Sequence, residues 1–175
     1  DISAALQRGL IVTSTHGDLK EKCADLAMLL LLNAARRAFE GDQLILSGKW
    51  IGWTPTQLLG MRFQAKHLGI LEMEEIDRTS AHRATAFRLS IHYYNRKRLP
   101  PKLEAGATCH ANPDRMLGIS DFLSPNCPAT PKTVGFLNRP QISLLPDRSV
   151  VINISRGELI DEAALSNALI TGKLA

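Results

Sequence analysis

The segment "KHLGILEMEEIDRTSAHRATAF", Lys66 to Phe87, puts acids where an anion is ordinarily held. It reads as a short apolar strand (Leu68–Leu71), a tight turn, and a helix with apolar residues at Ile76, Ala84 and Phe87. A strand, turn and helix of this kind hold a dinucleotide's phosphates when the turn is glycine-rich, because glycine lets bare backbone approach the anion. Here the turn carries Glu72, Glu74 and Asp77. A second candidate is Arg156, in "INISRGELID" at the end of a predicted strand. On its sequence neighbours alone it is a capping or salt-bridging arginine, with Glu158 and Asp161 as partners. The third is the basic cluster "NRKRLPPK" (Asn95–Lys102), which also closes a predicted strand. A run this short is ordinarily a solvated loop, and no nucleic-acid motif accompanies it.

Other chemistries find little support. Cys23, Cys109 and Cys127 are far apart and form no C-x-x-C, against a disulfide framework or a zinc site. His16, His67, His82, His92 and His110 show no ligand spacing with one another, so no metal is expected. The 175 residues, 45% hydrophobic and 22% charged, suffice for one globular domain with a real core. The longest apolar run, "LAMLLLLNAA" (Leu26–Ala35), is far shorter than the ~20 residues that span a bilayer. With no signal-peptide pattern at the start, a cytoplasmic protein is expected. The net charge of +4 suits an anionic partner, but neither nucleic acid nor membrane is indicated.

The elements that must position these groups alternate along the chain. "GLIVTST" (Gly9–Thr15) predicts a strand, and Asp18 to Glu40 predicts one long helix closed by Gly41. That helix is apolar nearly all round from Ala24 to Ala35, so it must be buried in this domain or against a second copy. Asp42–Gln64, with two tryptophans, reads as an irregular connector. From Lys66 onward, strands are predicted at Leu68–Leu71, Leu89–Asn95, "TCHA", Asp121–Cys127 and Ser149–Ser155. Helices are predicted at Glu74–Phe87, Pro101–Ala105, Pro113–Ser120, Pro140–Leu145 and Asp161–Thr171. Repeated β–α units imply an α/β fold, a Rossmann-like, doubly wound parallel sheet in three layers. Ligands of such sheets sit outside the C-terminal strand ends, here Glu72–Asp77, Asn95–Arg98, Pro125–Pro128 and Ile154–Arg156.

Six pieces in order, "ADLAMLLLLNAARR", "SGKWIGWTPTQLLG", "LGILEMEEID", "IHYYNRKRLPP", "CPATPKTVGFLN" and "VVINISRGELIDEAAL", make the chain resemble the D-isomer-specific 2-hydroxyacid dehydrogenases. The likeness is strongest to the glyoxylate/hydroxypyruvate reductase branch, and the piece around Arg156 is the most specific. The resemblance implies hydride transfer between NAD(P)H and a small 2-oxo acid, in a homodimer. It implies that Arg156 orients the substrate, its planar fork matching a carboxylate and the reacting carbonyl. It places Ile154 at the nicotinamide half of the cofactor and Cys127 and Pro128 between its two halves. Glu74, Glu75, Ile76 and Asp77 fall at the pyrophosphate, with Glu75 and Ile76 offering N–H groups. Asn95, Arg96, Lys97 and Arg98 fall at the adenosine ribose, where basic residues accommodate a 2′-phosphate and favour NADP over NAD. Residues 1–10 are then a remnant of the substrate lobe and hinge, and 11–175 the NAD(P)-binding domain.

The departures from the family pattern carry their own expectation. Its G-x-G-x-x-G falls on Glu72, Glu74 and Asp77, where a β-carbon takes space and a carboxylate repels the ligand. Two like charges about 4 Å apart repel by ~1 kcal/mol in water and ~4 kcal/mol near a protein surface. Asn126 stands where the family usually has His, and His16 where it usually has Pro. The family's His–Glu acid–base pair, its last sheet strand and most of its substrate lobe have no counterpart between Asp1 and Ala175. The expectation is a chain without reductase activity by itself, keeping the scaffold as a non-catalytic remnant or dimerisation module.

Overall fold

In the computed structural model, residues 2–13 and 19–175 are described. After a short helix α1 (Ile2–Gln7), α2 (Lys20–Arg36) and α3 (Ala38–Leu46) precede the sheet. The sheet is then built by β1 (His67–Leu71), α4 (Glu75–Ala86), β2 (Ser90–Tyr94), α5 (Pro101–Glu104) and β3 (Thr108–Cys109), followed by α6 (Pro113–Leu117) and β4 (Phe122–Pro125). It ends with α7 (Arg139–Leu144), β5 (Val150–Val151), a 3-10 turn at Gly157–Leu159 and α8 (Glu162–Ile170). All the ladders are parallel, in the order β3-β2-β1-β4-β5. Leu174 adds an isolated parallel bridge to Ser149, beyond the side of β5 that faces β4.

Alternation along the strands builds the three layers. Leu68 and Ile70 of β1, with Phe122 of β4, face α2 and α4 and pack on Ala27, Leu31 and Ala84. Leu71 and Leu123 point the other way, into Met116, Leu117, Ile142 and Ala168 from α6, α7 and α8. The central strand β1 is buried on both faces, which is why it reads as an unbroken apolar run.

Four sequence expectations are corrected. The long helix breaks at Arg37, which adopts the left-handed conformation (φ 56°). Its cause lies in the connector: Met61 donates to the Ala35 carbonyl at 2.7 Å, and a β-carbon on Gly60 would stand 2.3 Å from that oxygen. The Asn33 side chain also accepts from the Phe39 amide at 3.0 Å, starting α3 on a new axis. The connector is therefore partly helical, up to Leu46. The predicted strand Gly9–Thr15 is absent over residues 9–13, its remainder lying outside the described residues. His16 and Asp18 lie outside them as well. Of the strand expected over Ser149–Ser155, only Val150–Val151 enters the ladder with β4, because Asn153 and Ser155 bond locally and turn the chain.

Candidate functional site

The strand ends converge at the start of α4. Glu72 follows β1 in the left-handed conformation (φ 61°), its amide donating to Tyr94 O at 2.8 Å. A glycine would adopt this conformation at no steric cost. Its carboxylate, nearly buried, accepts from both the backbone amide (3.3 Å) and the Nε (3.2 Å) of Arg96. The next amide, Met73, donates to the Asn95 side chain at 2.7 Å, tying the β1–α4 turn to the end of β2. Glu74 and Asp77 then form a reciprocal capping box, with the Glu74 amide donating to Asp77 Oδ2 at 2.9 Å.

Asp77 is 4% exposed, and burial pushes its carboxyl up to about 6, with Glu74's charge adding to the rise against two lowering hydrogen bonds from the backbone. At neutral pH this buried acid carries charge at a cost. The amides of Glu75 and Ile76 sit in the first turn of α4, where no preceding carbonyl is available to them. Both residues line a cleft together with Glu74 and Asp77.

Open space lies on either side of this turn. One cleft, about 840 Å³, is lined by Glu72, Glu74, Asn95, Arg96, Lys97 and the prolines that follow. A second, about 460 Å³, lies among Lys20, Glu74, Ile76, Asn126, Ile154 and Arg156. Glu74 borders both. In the first cleft the basic cluster is largely neutralised within the protein. Arg96 pairs with Glu72, and Arg98 holds Glu104 at 2.7 and 3.1 Å while Tyr93 Oη donates to the same carboxylate at 2.5 Å. Glu104 is thereby held down at about 2, mainly by Arg98 and then by Tyr93. Lys97 makes no ion pair among the described residues.

In the second cleft, the loop after β5 is braced from within. Asn153 Nδ2 donates to Arg156 O at 2.8 Å, and Ser155 Oγ to Pro125 O at 2.8 Å. Arg156 is exposed and makes no ion pair with Glu158 or Asp161; Asp161 instead caps α8 through the Ala164 amide at 3.0 Å. The salt-bridging role open to Arg156 on sequence grounds is not the one the fold gives it. Asn126 bonds Ser124 Oγ at 3.0 Å, and Lys20 reaches across from α2 to Glu75 at 3.1 Å. Cys127 is buried, its thiol pushed up by desolvation, whereas Pro128 is exposed.

Three histidines that sequence spacing left unrelated are brought together on another part of the sheet. His67 Nδ1 lies 2.9 Å from His92 Nε2, and His92 Nδ1 lies 3.0 Å from His110 Nε2. Only the strand register could have revealed this, since it sets His67 and His92 on one face through the Gly69↔His92 pairing. Among the described residues no group of three or more His, Cys, Asp or Glu is arranged around a single ion. No helix is long and apolar enough to cross a membrane, again among the described residues.

The turn between the two clefts is already engaged within the protein. Asp77 accepts from the Glu74 amide, Glu72 pairs with Arg96, and four carboxylates, Glu72, Glu74, Glu75 and Asp77, border one cleft or the other.

Comparison with known proteins agrees with the architecture. Residues 28–175 match the model of the D-isomer specific 2-hydroxyacid dehydrogenase, NAD binding domain. The glycerate dehydrogenase of Hyphomicrobium methylovorum is 38% identical over all of this chain, which spans 55% of that protein. The glyoxylate reductase of Thermococcus litoralis is 37% identical, with 54% of its length covered. Among solved structures, a Polaromonas sp. JS6 66 protein assigned as an NAD-binding D-isomer specific 2-hydroxyacid dehydrogenase superposes with a TM-score of 0.94 at 47% identity, over 99% of this chain and 55% of that one. A glyoxylate reductase from Paecilomyes thermophila gives 0.87 at 38% identity, over 99% and 52%. The chain thus spans about half the length of these relatives, and with its parallel sheet and strand-end site it belongs to the D-isomer-specific 2-hydroxyacid dehydrogenases, through their NAD-binding domain.

Proposed function

We propose that this chain is the cofactor-binding half of an oxidoreductase that passes hydride between NAD(P)H and a small 2-oxo acid of the glyoxylate or hydroxypyruvate kind. We further propose that, with its acidic turn, it does not by itself hold the dinucleotide or turn over. The observation that carries the first part is Arg156, exposed in the loop after β5 and without a carboxylate partner among the described residues, in a cleft it shares with Ile154 and the start of α4. An exposed guanidinium there can take the carboxylate and carbonyl of a 2-oxo acid in bidentate geometry. Relatives named glyoxylate reductase and glycerate dehydrogenase support this substrate class. Bound NAD(P)H would supply the hydride; Ile154, which borders the same cleft as Arg156, and Cys127 are assigned to its path by the family resemblance.

The second part rests on the turn. Micromolar affinity is worth about 8 kcal/mol, and a few unscreened carboxylate–phosphate repulsions of ~1–4 kcal/mol each cancel most of it. The discriminating experiment is a titration of NADPH fluorescence with the chain as it stands and with Glu72→Gly, Glu74→Gly and Asp77→Gly combined. Binding by the triple variant alone, at micromolar levels, supports both parts. Micromolar binding by the unaltered chain would show the electrostatic reading to be wrong.

Pairing with a second copy completes the proposal. Leu26 and Leu29 of α2 are 47% and 59% exposed, on a helix that buries Ala24, Ala27, Met28, Leu31 and Ala35, and Phe39 and Trp53 are also exposed. That surface is the one through which we infer a homodimer.

A further inference from the structure

The three-histidine row is an unusual thing to find across a parallel sheet. By the ladder registers Gly69↔His92 and His92↔Thr108, His67, His92 and His110 lie on the face covered by α6. They meet ring to ring, with centroids 4.9 and 5.2 Å apart. The strand at the end of the row, β3, has only two ladder pairs, plus the His110 amide bonded to Tyr93 O at 2.8 Å. We propose that His67, His92 and His110 form an acid-sensitive clasp, which holds edge strand β3 on the sheet while it carries at most one extra proton and releases it at the second.

Proton counting gives this limit. Each N···N contact needs one N–H, and a neutral imidazole has one donor and one acceptor nitrogen. Three neutral rings therefore satisfy both contacts in a single direction, with a third proton on an end nitrogen. One further proton is also accommodated, because a charged ring at either end simply fixes that direction. A second is not. With both end rings charged, each points an N–H at His92, whose neutral ring offers only one bare nitrogen; one contact becomes N–H against H–N, and the two end rings carry like charges on either side of His92.

The surroundings offer little relief. Burial and the charges of His67 and His110 hold His92 down at about 4, and burial lowers His110 as well. On the β1 side, Asp121 is already taken by Lys66 Nζ at 2.6 Å and by the His67 amide at 2.9 Å. From α6, packed over this face, Met116 and Leu117 are buried, and its charged residues Asp114 and Arg115 are exposed. Tyr94, on the same side of β2, packs among the apolar residues of that face. None of the groups shaping His92 is a carboxylate.

Amide hydrogen exchange on the whole chain between about pH 7 and pH 5, corrected for the intrinsic rate, tests the clasp. The expected result is that amides of Thr108–Ala111 lose roughly tenfold or more of their protection in acid while those of β4 keep theirs. His110→Gln, whose amide bonds without titrating, should keep β3 protected at both pH values. His92→Leu removes both contacts and should leave β3 weakly protected with no dependence on pH. Unchanged protection of β3 in the unaltered chain, or an acid loss that persists in His110→Gln, would overturn the proposal. Should His92→Leu not fold, His110→Gln decides alone.

Discussion

Glu72 combines two penalties that no neighbouring residue needs. A non-glycine residue at φ 61° costs on the order of 1–2 kcal/mol, and its carboxylate is 12% exposed beside an Arg96 side chain that is 79% exposed. So exposed a partner returns little. Glu72→Gly is therefore expected to stabilise the chain by about 1 kcal/mol, read as a higher urea midpoint at unchanged slope. Asp77 makes a pH-dependent claim. Its carboxyl rises from 3.8 in the unfolded chain to about 6 in the fold. Below 3.8 both states are protonated and burial carries no charge penalty. As pH climbs from 3.8 through about 6, the unfolded state ionises first and stability falls, the loss being complete above that window. Asp77→Asn keeps an acceptor for the Glu74 amide and removes the titration. Denaturation at pH 7 should find it more stable by about 2–3 kcal/mol, and at pH 3.5 nearly equal to the parent. Equal stability at both pH values would mean the carboxyl is better solvated than its burial indicates.

At the scale of elements, the β–α alternation was legible because each strand is a short apolar run and each helix opens on a recognisable residue, such as Asn112 or Asp161 at a cap or Pro113 in the first turn. The break at Arg37 was not legible. Arg36, Arg37 and Ala38 are all good helix formers, and what parts α2 from α3 is the Gly60–Met61 backbone lying against the Ala35 carbonyl, 25 and 26 positions further along. Two substitutions separate these causes. Arg37→Gly should raise stability by about 0.5–1 kcal/mol, since the left-handed position suits glycine and the lost Glu40 pair is on the surface. Gly60→Ala should lower it by about 1–3 kcal/mol, because the new methyl meets backbone that cannot step aside. Thermal unfolding of both, monitored by helical circular dichroism, is the check.

For the whole molecule, the proposed pairing surface predicts that light scattering on a sizing column finds a dimer, and that Leu29→Glu shifts it to monomer without loss of helix content. A monomeric parent chain would remove that proposal. Glu72, Glu74 and Asp77 could be placed at one strand end, and Arg156 at another, from the linear order alone, because in a parallel α/β sheet every strand end falls on the same edge. Which charges meet was a different matter. Arg96 turning to Glu72, Arg98 to Glu104, and three histidines joining across 43 positions of chain all depend on register and on side-chain direction. Periodicity and composition determined the layers, since burying apolar faces leaves few arrangements. Tertiary structure decided the pairings, since hydrogen bonds and ion pairs form over about 3 Å and sequence distance says nothing about which groups come that close.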